Sequence, residues 1–134
     1  MENWEKIVHV KSSLQPKQGQ FAMFVGRWQP LHKGHQELFK QAMNEGKNVL
    51  ICIRDIYPDE KNPFTAEEVK DNIMNHYAQE CIDGKVRVMV IPDICSVEFG
   101  RGVGYDIIER TPPQYIGEIS ATKIREELRK SGQL

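Results

Sequence analysis

Two short apolar runs fix most of what this chain can become. Phe21-Ala-Met-Phe-Val25 stops at Gly26, and the β-branched run Asn48–Ile53 follows after an intervening amphipathic segment. In that segment Leu38, Phe39, Ala42 and Met43 recur at helical spacing between His35 and Glu45, and Gly46 stands where a C-terminal cap belongs. Strand, helix and strand within about thirty residues make a βαβ unit with a parallel crossover. The pattern then repeats. Thr65-Ala-Glu-Glu68 reads as a capping box opening a second helix with an inward stripe of Val69, Ile73, Met74 and Tyr77. After Asp83-Gly84 comes a third strand, Val86–Ile91, closed by Pro92. Gly100-Arg-Gly-Val-Gly104 reads as a loop, Tyr105–Glu109 as a short further strand, and Ala121–Lys130 as a last helix on Ile124 and Leu128. Alternating β and α segments imply an α/β sandwich around a mostly parallel sheet. A chain of 134 residues suits one compact domain spanning 21–134, preceded by an extension, 1–20, in which Lys6–Lys11 alternates like a strand.

Composition excludes several classes. The 18 basic and 19 acidic residues nearly cancel, so no diffuse polybasic grip on nucleic acid or anionic lipid is expected. The apolar runs are far too short to span a bilayer, and Met1–Lys6 does not open a signal peptide. Cys52, Cys81 and Cys95 are odd in number and form no CxxC pair, which suits buried thiols in a reducing compartment. A cytoplasmic protein is the expectation.

In an open parallel sheet, ligands sit beyond the carboxyl ends of the strands, near helix N-termini. The unusual residues fall there. Directly after the first strand runs Gly26-Arg27-Trp28-Gln29-Pro30-Leu31-His32-Lys33-Gly34-His35, a turn with four basic or imidazole side chains leading into a helix start. Free N–H groups at such a start favour an anion, and Gly34 permits close approach. Trp28 suits packing at the turn and a ligand wall equally well. The second concentration is Ile119-Ser120-Ala121-Thr122-Lys123-Ile124-Arg125. Ser120 is a good N-cap, yet Lys123 and Arg125 oppose the helix dipole, a conflict that a bound polyphosphate resolves. Two histidines three apart also suit a metal, but no third ligand lies nearby in the sequence, so no protein-built metal site is expected.

Gly26–His35 resembles the GRFQPxHxGH signature, and Ile119–Arg125 the ISxTxIR signature, of the HxGH nucleotidyltransferases. Asn62-Pro63-Phe64-Thr65 is similar to the NPFT segment of archaeal-type nicotinamide mononucleotide (NMN) adenylyltransferases, whose later stretch Gly104-Tyr105 and Pro112-Pro113 also resemble. The resemblance runs from Phe21 to Leu128. It implies a Rossmann-like three-layer sandwich and transfer of a nucleoside monophosphate from a Mg-nucleoside triphosphate to a phosphate-bearing acceptor, with release of pyrophosphate. Adenylyl transfer from ATP to an NMN-like nucleotide is favoured by the motifs. The compact length is instead similar to the glycerol-phosphate cytidylyltransferases, so CTP with a phosphorylated polyol is the alternative, as is an inactive nucleotide-binding regulatory module. By the resemblance, His32, His35 and Arg125 are catalytic. Gly26, Arg27, Trp28, Lys33, Gly34, Ser120, Thr122 and Lys123 bind nucleotide, and Mg²⁺ is carried by the triphosphate. Arg54-Asp55 and Gly100–Gly104 have no assigned counterpart. Relatives of this architecture self-associate, so a homo-oligomer is expected.

Overall fold

The computed structural model describes residues 5–9, 20–101, 104–111 and 121–132, and of 5–9 and 121–123 the backbone only. The centre is a three-stranded parallel sheet built from β2 (Phe21–Gly26), β3 (Asn48–Asp55) and β4 (Val86–Pro92), in that spatial order. Phe21 pairs with Asn48 and Gly26 with Ile53; Val49 pairs with Val86 and Asp55 with Pro92. Helix α1 (Lys33–Asn44) crosses from β2 to β3, and α2 (Ala66–His76) with the short α3 (Ala78–Ile82) crosses from β3 to β4. Both crossovers step the same way across the sheet, so right-handed connections lay α1 and α2 on one face. Period-two alternation supplies that face with Ala22 and Phe24, Val49, Ile51 and Ile53, and Val86, Val88 and Val90, which pack against Phe39 and Ala42 of α1, Val69 and Ile73 of α2, and Tyr77. Phe24 and Phe39 meet edge to face at 5.0 Å.

The expected helix ends are found with small shifts. The Thr65 hydroxyl accepts from Glu68 N–H at 3.1 Å and the Glu68 carboxylate accepts from Thr65 N–H at 2.8 Å, closing the predicted capping box. Gly46, just beyond the α1 C-cap, has φ +88°, a value costly for any residue with a Cβ. Met74, placed in the inward stripe of α2 by sequence, is 40% exposed. Val69, Ile73 and Tyr77 already follow one another four apart, and Met74 lies about 100° round the helix from Ile73.

The remaining strand differs from expectation in its company. β1 (Glu5–His9) pairs antiparallel with β5 (Asp106–Arg110), in a two-stranded ribbon separate from the parallel sheet. The Glu45 carboxylate ties that ribbon to α1, accepting from Arg110 Nη1 and Nη2 at 2.9 and 2.8 Å. Helix α4 (Ala121–Lys130) closes the described chain where the sequence placed it.

Candidate active site at the histidine turn

The turn after β2 is held from three sides. Trp28 adopts φ +52°, a left-handed conformation unfavourable to a bulky residue, and is stabilised there by burial. Its indole Nε1–H donates to the Cys52 carbonyl at 3.0 Å, and its ring stands edge-on to Phe39 and His35. A Cβ at Gly26 would lie 2.9 Å from the same ring, which is why glycine ends β2. Trp28 is thus a packing residue that also backs the imidazole of His35.

Gln29, which the sequence reading did not single out, is 4% exposed and clamps the loop before α2. Its amide donates to the Phe64 carbonyl at 2.9 Å and accepts from Phe64 N–H at 3.0 Å. Its own carbonyl accepts from Arg125 Nη1 at 2.6 Å, joining α4 to the turn. Arg129, one helical turn on, donates to the Glu60 carbonyl of the same loop. That loop is folded on Asp59, whose carboxylate accepts from Lys61 N–H, Asn62 N–H and the Asn62 amide. These bonds, foremost those from Asn62, hold the Asp59 carboxyl below the usual range, and the positive charge of Arg27 adds to the effect. Gln29 and Asn62 both stand inside stretches that carry the family resemblance, but their part in clamping the loop shows only in their burial beside the turn.

His32 is the N-cap of α1. Its Nδ1 accepts from Gly34 N–H at 3.0 Å, while His35 Nδ1 accepts from His32 N–H at 3.2 Å, a capping box made of two imidazoles. A neutral ring accepting at Nδ1 carries its proton on Nε2. Both rings therefore offer an Nε2–H donor. They stack at 3.7 Å between centroids, 20° from parallel. Two adjacent cations would repel, and both rings are held neutral. Burial pushes His32 below its ordinary pKa, and burial followed by the nearby charge of His32 brings His35 down to about 4. No acidic side chain lies in the first turn of α1, where Lys33 is exposed and Gly34 buried. The arrangement presents neutral donors, nearby cations and a helix N-terminus to an anion.

The structure thus sets Gly26, Arg27, Trp28, His32, Lys33, Gly34 and His35 along one turn and helix start, and Arg125 reaches that turn at the Gln29 carbonyl. Ser120 lies outside the described residues, and Thr122 and Lys123 are placed by backbone only, in the first turn of α4. Among the described residues no group of three or more His, Cys, Asp or Glu is placed to hold a metal ion. Among them, too, no helix is long and apolar enough to cross a membrane.

Residues 23–81, which carry this turn, match the family described as cytidylyltransferase-like. The nicotinamide-nucleotide adenylyltransferase of Archaeoglobus fulgidus is 35% identical over 79 residues, 54% of this chain and 45% of that protein. The enzyme of the same name from Methanococcus aeolicus is 41% identical over 49 residues, 35% of this chain and 28% of that one. The nicotinamide/nicotinic acid mononucleotide adenylyltransferase of Acinetobacter baylyi is 32% identical over 62 residues, 45% of this chain and 33% of its own. A solved bifunctional NMN adenylyltransferase/ADP ribose pyrophosphatase from Francisella tularensis is 33% identical, with a TM-score of 0.49, over 56% of this chain and 23% of that chain. The chain spans less than half the length of each of these relatives. Over residues 23–81 the chain is similar to the cytidylyltransferase-like family. Within that class its likeness runs to the nicotinamide-nucleotide adenylyltransferases.

Proposed function

We propose that this chain transfers an adenylyl group from ATP to an NMN-like nucleotide, releasing pyrophosphate, and that it does so in the cytoplasm. The observation that carries the reading is the stacked pair of neutral imidazoles at the start of α1. An acceptor phosphate is already an anionic nucleophile, so the site needs no strong base. One of its oxygens attacks the α-phosphorus in line, the bond from that phosphorus to the bridging oxygen breaks, and the electron pair leaves with pyrophosphate. Negative charge grows on the α-phosphate oxygens and the leaving group, and donors fixed beforehand stabilise it without reorganising. His35, buttressed by Trp28, serves the α-phosphate, and His32 lies beside it. Arg125, Ser120, Thr122 and Lys123 serve the β- and γ-phosphates, and Arg27 the phosphates or the acceptor. Magnesium enters as part of the triphosphate substrate, held by phosphate oxygens and water.

The test is pyrophosphate release from each nucleoside triphosphate with a panel of acceptor phosphates. ATP with nicotinamide mononucleotide is expected to turn over. A thermal-shift screen of ATP, CTP, GTP and UTP complements it, since a ligand at 100 times its dissociation constant stabilises by about 2.7 kcal/mol. Stabilisation by CTP in preference to ATP, with turnover of a phosphorylated polyol, would replace this reading by cytidylyl transfer. Tight triphosphate binding without turnover of any acceptor would leave a regulatory module.

A further inference from the structure

Beside the histidine turn, at the same end of the sheet, β3 runs two residues past its pairing with Gly26 and opens into a hollow of about 340 Å³. It is lined by Asp55, Ile56, Tyr57 and Pro58 on one side and by Thr65 and Ala66 at the start of α2 on the other. Tyr57 is 93% exposed, so its ring contributes almost nothing to the core. The one cation next to it in sequence is committed elsewhere: Arg54 bonds to the Asp93 carboxylate at 2.9 Å and the Ile94 carbonyl at 3.1 Å. Asp55 makes no ion pair among the described residues. The α2 start is not an anion site, because the capping box occupies Glu68 N–H and the first turn carries Glu67 and Glu68. A hollow with an unpacked aromatic face, a carboxylate and no cation repels phosphate and carboxylate groups and attracts a flat, positively charged ring.

We propose that the Asp55–Tyr57 hollow receives the base of the acceptor nucleotide and selects a cationic pyridinium ring bearing a neutral amide over the same ring bearing a carboxylate. The inference rests on the adenylyl-transfer reading and adds a specificity residue to it. The pyridinium lies against the face of Tyr57 with the Asp55 carboxylate near its charge. The acceptor phosphate is then left to the cationic side of the site, at Arg27 and the histidine turn. An added carboxylate on the ring would meet the Asp55 carboxylate.

Calorimetric titration of nicotinamide mononucleotide and of nicotinic acid mononucleotide into wild type, Asp55→Asn and Tyr57→Ala tests it, alongside pyrophosphate release with ATP on the same preparations. Wild type is expected to bind the amide roughly tenfold more tightly than the acid, the scale of one charge contact near a surface. Asp55→Asn is expected to bring the two within about threefold, and Tyr57→Ala to weaken both, with melting temperatures unchanged because neither side chain is buried in the core. Wild type favouring the acid, or binding neither mononucleotide, would overturn the assignment. So would a wild-type preference that survives in Asp55→Asn. Turnover with ATP and unaltered selectivity in Asp55→Asn would remove the hollow while leaving adenylyl transfer standing. Turnover only with CTP would remove adenylyl transfer itself.

Discussion

At the scale of single residues the two histidines and Arg125 separate chemistry from binding. In the proposed reaction His35 offers its Nε2–H to charge that develops in the transition state, so His35→Ala should lower kcat by about 10²–10³ while leaving triphosphate affinity nearly intact. Near-normal turnover in folded His35→Ala would end that assignment. Arg125→Ala should instead raise the triphosphate KM by roughly ten- to a hundredfold, the cost of a charged hydrogen bond made in the ground state as well. Because Arg125 also donates to the Gln29 carbonyl, Arg125→Lys should recover part of the melting temperature. The same histidines set an acid limit. The fold holds His35 at a pKa of about 4 against an ordinary 6.5, so between those values the unfolded chain binds the extra proton. Stability from the neutral ring is complete above pH 6.5 and is lost as pH falls towards 4. Denaturation midpoints should decline over that window in wild type and decline less in His35→Ala.

At the scale of elements, the turn between β2 and α1 works as one part. Gly26→Ala would press a methyl against the Trp28 indole at 2.9 Å, with that ring already tied to Cys52. Shifting it should cost about 1–3 kcal/mol, seen as a lower urea midpoint with an unchanged m-value, and should also lower kcat through His35. A Gly26→Ala protein as stable as wild type would mean that the indole is not fixed. The sequence declared the elements themselves well, because β2 and β3 are short bounded apolar runs, α1 keeps a helical period and α2 carries a complete capping box. It could not declare the partner of β5. Asp106–Arg110 alternates equally well for any edge, and Arg110 meeting Glu45 is a long-range event. The clamping role of Gln29 was equally hidden, since its place in the turn motif says nothing of Phe64 until that residue closes on it. The Arg110 pair also draws Glu45 down to about 2, with Lys47 contributing, against the usual 4.5. Stability from that pair is present above pH 4.5 and fades as pH falls towards 2. Amide exchange in β1 and β5 should accelerate across that lower window, distinct from the histidine one.

At the scale of the whole molecule, the two faces of the parallel sheet are unequal. The helices cover Ala22, Phe24, Val49, Ile51 and Ile53, whereas the opposite face presents Phe21, Met23 and Met89, with Val25, Leu50 and Ile91 half-buried between them. Parallel sheets ordinarily carry apolar side chains on both faces because both are covered. Arg87 lies 5.0 Å from the Phe21 ring, shielding one corner but not the methionines. A second copy packed back to back about a two-fold axis would bury Met23 and Met89 twice over, each worth about 1.5–3 kcal/mol when fully covered. Met23 and Met89 are already about half covered, so those four side chains do little more than offset the roughly 4–15 kcal/mol that association costs, and a weak dimer in the millimolar range is the expected outcome. Light scattering over rising concentration should show the mass doubling, and Met23→Glu with Met89→Glu should hold the chain at one copy without altering triphosphate binding at the far end of the strands. A wild-type chain that stays monomeric at millimolar concentration would reject the dimer.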